Sequence, residues 1–175
     1  MNLPVLASPR KTDEPWFARG LRFTCSQCGN CCSGGPGFVW ISRPEIAKLA
    51  EFLGISRQEL IGKYCRKVGR RIALKEIKNP RNGGFDCTFI KEIPAPDDNG
   101  GNSTHLKRIC SVYEARPLQC RTWPFWDGNL ADPKAWQRAA GTCRGMNRGE
   151  FFDRERIERL RDAEVWPTNP PTSDK

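Results

Sequence analysis

The sequence predicts an α+β fold: a small single domain with a few helices and a short antiparallel sheet. Two runs with helical apolar periodicity begin at Ser42 and Ser56, and short alternating runs of strand type follow near residues 71–78, 85–90 and 108–113. The chain has 175 residues and a 38% apolar share, which fits one domain with a core of its own. Its cysteines are concentrated to an unusual degree: the segment CSQCGNCC, residues 25–32, holds four in eight positions.

The elements follow in order. Residues 1–20 read as an extended N-terminal arm, with Trp16 and Phe17 able to dock it onto the body at residues 21–166. Ser42 and Glu45 form a capping box and Pro44 sits in the first turn. Ile46, Leu49 and Leu53 make a buried stripe, and Gly54 closes the helix. Ser56 with Glu59 repeats the box and starts a second helix that carries Leu60, Ile61 and Tyr64 and runs into Cys65. Arg71 to Lys78 reads as one strand and Phe85 to Ile90 as another, with Phe85, Cys87 and Phe89 on one face. Residues 94–105 read as a polar loop and Arg108 to Tyr113 as a return strand. Pro117 to Asp132 is irregular and aromatic, and a short helix spans Pro133 to Ala140. Asn147 and Glu150 suggest a third capping box before a charged helix to Val165, whose narrow stripe of Ile157 and Leu160 packs it on the surface. Residues 167–175 read as a disordered tail.

Composition removes several classes of function. No run of 18 apolar residues spans a membrane, and no basic segment followed by an apolar stretch marks a secretory signal, so the expected location is the cytoplasm. There thiols stay reduced, and nine cysteines point to metal or redox chemistry before disulfides. An odd number cannot pair fully within one chain. Cys31 and Cys32 have Cα atoms only about 3.8 Å apart, so a bond between them closes a strained ring. There is no phosphate-binding or dinucleotide glycine loop, and the single histidine, His105, lies in the polar loop and reads as solvent-facing.

Metal ligation explains the spacing. A C-x-x-C turn brings two sulfurs onto one ion while backbone N–H groups face the thiolates, and Gly29 permits the positive φ of such a knuckle. Cys25, Cys28 and Cys31 also share the C-x2-C-x2-C spacing of iron–sulfur proteins. In an extended or helical segment Cys31 and Cys32 diverge, which lets one of them serve a second centre. With Cys87, Cys110, Cys120 and Cys143 there are enough thiolates for two four-sulfur sites, and Cys65, in a helix with no partner at ligand spacing, reads as a small core hydrophobe. Two such sites carry about −2 each, which reduces the formal net charge of +9 to about +5.

CSQCGNCC, then FDCTF, then CSVYEARPLQCRTWPF resembles the CxxCxxCC family, also known as YkgJ-type cysteine cluster proteins, over roughly Phe23 to Cys143. The resemblance implies zinc or iron chelation through Cys25, Cys28, Cys31, Cys32, Cys87, Cys110, Cys120 and Cys143, in a small metal-organised domain. Some relatives look like flagellin lysine N-methylases, which makes a redox or methyl-transfer enzyme using an iron–sulfur centre, such as [4Fe–4S], a second reading.

Three further groups bear on the site. Arg116 and Arg121 flank the Cys110/Cys120 pair and can donate to thiolate or cluster sulfide, with Arg121 the stronger candidate because it adjoins a ligand. Trp123, Phe125 and Trp126 either shield a cluster or form the aromatic core. Lys63, Arg66, Lys67, Arg70 and Arg71 put five bases in nine residues, which gives a third reading, a zinc-stabilised nucleic-acid-binding module. The commoner outcome is a solvated basic face.

Overall fold

The computed structural model describes residues 14–96 and 102–163, and for Pro96 and residues 102–105 the backbone alone. The chain runs through β1 (Leu21–Phe23), β2 (Ser33–Gly34), α1 (Arg43–Leu53), α2 (Arg57–Tyr64), β3 (Cys65–Val68), β4 (Arg71–Leu74), β5 (Glu76–Lys78) and β6 (Phe85–Cys87). It continues with β7 (Ile90–Pro96), β8 (Asn102–Cys110), α3 (Leu118–Thr122), α4 (Asp127–Leu130), α5 (Pro133–Thr142), β9 (Met146–Phe152) and α6 (Arg154–Arg161). The strands form small antiparallel sheets, ordered β1-β9, β2-β6-β5, β3-β4 and β7-β8. The result is the α+β domain expected from the sequence.

The first two helices form as their caps dictate. In α1 the Glu45 carboxylate accepts from the Ser42 backbone N–H at 2.8 Å and from its hydroxyl at 2.6 Å, and Gly54 ends the helix at φ 65°. In α2 the Ser56 hydroxyl accepts from Glu59 N at 3.1 Å. Their inner faces bury Ile46, Leu49 and Leu60 with Ile41, Leu74, Phe89 and Val112 in a first core. Each such aliphatic side chain contributes about 1.5–3 kcal/mol through the apolar area it removes from water.

A second core gathers around Trp136. It contains Phe17, Phe125, Leu130, Cys143, Met146, Phe152 and Ile157 and is roofed by the β1-β9 ribbon. The arm does dock here: Phe17 is 4% exposed and Trp16 donates its indole N–H to Leu130 O at 2.8 Å.

Helix α3 joins the two cores. The Gln119 side chain accepts from Trp40 N at 2.8 Å and donates to Phe38 O at 3.0 Å on the first side. On the second, Trp126 donates its indole N–H to both Gln119 O and the Thr122 hydroxyl at 3.1 Å, and Thr122 is buried.

Several local expectations are corrected. The run Arg71 to Lys78 is two strands serving different sheets. It breaks at Lys75, whose N–H turns to Tyr64 O while its carbonyl accepts from Thr88 N, and this puts Ile77 out of phase and 56% exposed. The run from Phe85 likewise ends at Cys87, and Ile90 opens β7. Much of the expected polar loop at 94–105 is the arms of the β7-β8 hairpin, paired from Ile90↔Cys110 outward. The expected return strand begins earlier, at Asn102. The His105 side chain lies outside the described residues, as do the N-terminal part of the arm and the expected tail.

The proposed box at Asn147 and Glu150 does not form. Asn147 adopts φ 62° inside β9 and its side chain accepts from the Trp136 indole at 2.7 Å. The cap of α6 is Asp153, which accepts from Arg156 N at 2.8 Å, and α6 buries Ile157 on the narrow stripe expected of it.

Candidate metal centre

The cysteines reach the site from four separated segments. Residues 25–32 precede β2, and a 3-10 turn over Asn30–Cys32 carries Cys31 and Cys32. Cys87 ends β6, Cys110 ends β8, and Cys120 sits in α3. Cys87 and Cys110 pack against the first core from its edge, so the site borders a rigid wall.

The N-terminal knuckle has the form its sequence required. Gly29 adopts φ 72°, and a Cβ there would meet the Arg108 Cβ and the Ile90 Cδ1, each at 3.4 Å. The Gln27 backbone N–H faces the Cys25 sulfur at 3.4 Å, the kind of donor that stabilises a thiolate. Cys31 and Cys32 do not diverge as an extended or regular helical segment would make them. Their sulfurs face each other at 3.8 Å.

Electrostatic coupling shows which thiols share a neighbourhood. Cys32 feels Cys31, Cys120 and Cys87, and Cys120 feels Cys87, Cys31 and Cys110. Cys110 in turn feels Cys31 and Cys25. Six of the nine cysteines therefore lie within one field: Cys25, Cys31, Cys32, Cys87, Cys110 and Cys120. Burial is the main cause that raises Cys87 to about 11 and lifts Cys110 and Cys120 above the ordinary thiol. Cys31 alone is lowered, to about 7, by its hydrogen bond with Cys32 and more weakly by the Arg116 charge. The same contact raises Cys32.

The positive charge at this group is Arg116. Its guanidinium lies 4.0 Å from the Cys25 sulfur, is held by Tyr113 O at 2.7 Å, and covers the Tyr113 ring at 3.5 Å. Tyr113 itself, raised by burial and by its hydrogen bond with Cys25, was not identified from the sequence. Arg121, the stronger candidate from its position beside a ligand, is exposed on α3. In a helix the neighbour of an inward residue turns by about 100°, so adjacency in sequence carries it away from the site.

The remaining cysteines have other surroundings. Cys28 borders a separate groove with Ser26, Asn30, Lys107, Arg108 and Arg144. Cys143 is buried in the second core, where the Trp123 indole N–H points at its sulfur at 3.4 Å. Cys65 is 5% exposed and opens β3, because α2 ends one residue earlier.

Whether these residues suit a metal turns on donor chemistry and spacing. The 3.8 Å between the Cys31 and Cys32 sulfurs equals the edge of a tetrahedron with Zn–S bonds of about 2.3 Å, roughly 3.8 Å. Among the described residues no three Cys, His, Asp or Glu side chains already converge as a finished site. The donor set fits a thiophilic metal, and loading requires the thiols to lose protons and rotate inward. A cleft of about 180 Å³ opens beside the group, bordered by Cys31, Cys32, Cys87, Phe38, Gln119 and Trp126. Trp126 borders this cleft, Trp123 packs against the second core, and Phe125 is core at 1% exposure.

Sulfur donors from four segments on a small α+β frame define a cysteine-cluster domain of the kind that chelates zinc or iron. The chain belongs to the CxxCxxCC family, described as "Putative zinc- or iron-chelating domain", whose profile matches residues 24–144. This is the family that the cysteine motifs resemble. A protein of Methanocaldococcus jannaschii named "Uncharacterized protein MJ0661" is 26% identical over 110 residues, which are 62% of this chain and 48% of that protein. The chain therefore spans about half the length of this curated relative. No solved structure matches.

Proposed function

We propose that the chain is a cytoplasmic metal-binding protein that holds zinc or iron through Cys25, Cys31, Cys32, Cys87, Cys110 and Cys120, with Arg116 offsetting the thiolate charge. The observation that carries the reading is the shared field of six sulfurs from four segments. Six thiolates exceed the needs of one tetrahedral ion. They fill the eight positions of two ions when two thiolates bridge, which retains the two centres expected from the sequence with fewer ligands. A [4Fe–4S] cluster uses four and leaves two. Cys28 and Cys143 complete the set of eight suggested by the family resemblance.

When bound, the metal closes β2, β6, β8 and α3 onto one another. Without it, closely placed thiols repel as they ionise or oxidise, so the apo-protein is looser. The deciding experiment is metal and acid-labile sulfide content per chain, with a visible spectrum, on protein purified without oxygen. About two zinc and no colour supports the paired site, and iron with equal sulfide supports a cluster. A chain that holds neither, with all thiols free, rejects the proposal.

The cleft beside Cys31 and Cys32 favours one alternative, an enzyme whose metal is open on that face. Its test is a spectral or resonance change of the loaded protein on adding a small thiol, which a fully closed centre does not give.

A further inference from the structure

The segment bearing Phe38 and Trp40 is a third strand on the β3-β4 hairpin. Leu74 N donates to Val39 O at 2.8 Å, Ile41 N to Ile72 O at 3.1 Å, and Trp40 pairs with Ala73. Strand alternation then divides the side chains cleanly. Val39, Ile41, Ile72, Leu74 and Cys65 turn inward to the first core. Phe38, Trp40, Arg71 and Arg66 share the outer face, since Trp40, Ala73 and Arg66 stand opposite one another across the ladder.

On that face the two aromatic rings stack at 4.9 Å with an interplanar angle of 8°. The Arg66 guanidinium lies over Phe38 at 4.6 Å and that of Arg71 over Trp40 at 5.4 Å. Arg66 is committed to Glu76 at 2.8 Å and to Gly37 O at 2.5 Å, which fixes it as part of the platform. Arg70 and Arg71 are exposed and, among the described residues, have no acidic partner, whereas Lys67, paired with Ile72, belongs to the other side of the hairpin. Phe38 keeps 44% of its surface exposed, so its ring is open to a ligand. A cleft of about 230 Å³ between Trp40 and Trp126 continues the face past Gln119.

Stacked planar rings, planar guanidinium groups and unpaired cations on one small sheet match the needs of splayed bases and phosphates. The geometry points to a binding face for single-stranded nucleic acid, with Phe38 and Trp40 as the stacking ladder and Arg70, at the hairpin turn, and Arg71 as the phosphate contacts. The basic run was visible in the sequence, but there it reads as a helix face without aromatics. The hairpin turns it beside rings contributed from thirty residues upstream. This inference does not depend on which metal the cysteines hold.

The test is fluorescence anisotropy of the full-length, metal-loaded protein with a labelled mixed-sequence RNA of about 12 nucleotides, its DNA counterpart, the RNA duplex and polyaspartate. The expected result is binding of the single strands that weakens with salt at a log–log slope of roughly −1.4. Phe38→Ala, at an exposed position, lowers affinity about tenfold with unchanged thermal unfolding. Arg71→Ala reduces the salt slope by roughly 0.7. No binding at low salt overturns the proposal, as does equal binding of duplex or polyaspartate, or an affinity indifferent to Phe38→Ala. If Phe38→Ala unfolds, quenching of Trp40 fluorescence decides. It is read as the wild-type signal less that of Trp40→Phe, and absence of quenching rejects the stacking face.

Discussion

The Glu45 carboxylate, which caps α1 through Ser42, also accepts the Leu118 backbone N–H at 2.6 Å with its second oxygen. One side chain thereby fixes the start of α1 and, across 73 residues of chain, the start of α3. Both ends present unpaired N–H groups and favour negative charge. Since α3 carries Cys120, this carboxylate also sets where one proposed metal donor stands.

Glu45→Gln is expected to destabilise the loaded protein by about 1–2 kcal/mol, the order of a lost cap plus a weakened charge-assisted bond. Denaturant unfolding measures this. The same variant should load metal less completely, whereas Glu59→Gln, at the analogous position of α2 away from the cysteines, should leave loading unchanged.

Arg116→Gln is expected to lower metal affinity about tenfold, as loss of a partner that orients and neutralises a ligand does. Chelator competition at fixed pH gives the value. Arg121→Gln, on the outer side of α3, should change it little. An equal loss in both variants would remove Arg116 from the site.

Metal uptake should release protons. Burial holds Cys87 at about 11 and raises Cys110 and Cys120, so these thiols are protonated at neutral pH in the metal-free chain. Each must be expelled on ligation, and each expelled proton makes affinity rise about tenfold per pH unit. Calorimetric titration with zinc in two buffers of different ionisation enthalpy should count about three protons or more per chain. Release near zero would mean that these sulfurs do not ligate.

Much of this was written locally and some of it was not. The caps of α1 and α2 and the positive φ of Gly29 follow from residues within four positions of each other, so the sequence shows them directly. The family cysteines were legible for the same reason, because their spacing is itself the motif. What was hidden depends on distant partners. Asn147 and Glu150 have the letters of a capping box, yet the register Leu21↔Phe152 and Phe23↔Met146 draws that segment into a ribbon and shifts the cap to Asp153. The choice between Arg116 and Arg121 turned on which way α3 faces. Glu45 read as a cap and nothing more, since its second partner comes from the far side of the fold.

Cys65 should behave as a core residue with an alkaline signature. Burial raises its thiol from 9.0 to about 11, so the folded state holds the proton more tightly than the unfolded chain does. That contribution is complete below pH 9 and is lost as pH rises toward 11, with a slope of up to about 1.4 kcal/mol per pH unit from this group. Cys65→Ala removes the group and should flatten this part of the stability curve while leaving metal content unchanged. A fall in metal content would instead make Cys65 a ligand.

Cys120 and Cys143 provide the sharpest contrast. Both are cysteines of the family-matched region, and both lose solvent on folding. Cys120 stands among Cys87, Cys31 and Cys110, whereas Cys143 lies in the second core against the Trp123 indole. Cys120→Ala is therefore expected to lower metal content and expose the remaining thiols to a colorimetric thiol reagent. Cys143→Ala should keep full metal content and cost about 1–2 kcal/mol of stability through the small cavity it leaves beside Trp123 and Met146. Metal analysis and unfolding on the same samples separate the two effects. If Cys143→Ala loses metal while its unfolding stays cooperative, the second core reaches the centre, and the eight-cysteine arrangement replaces the six-cysteine one.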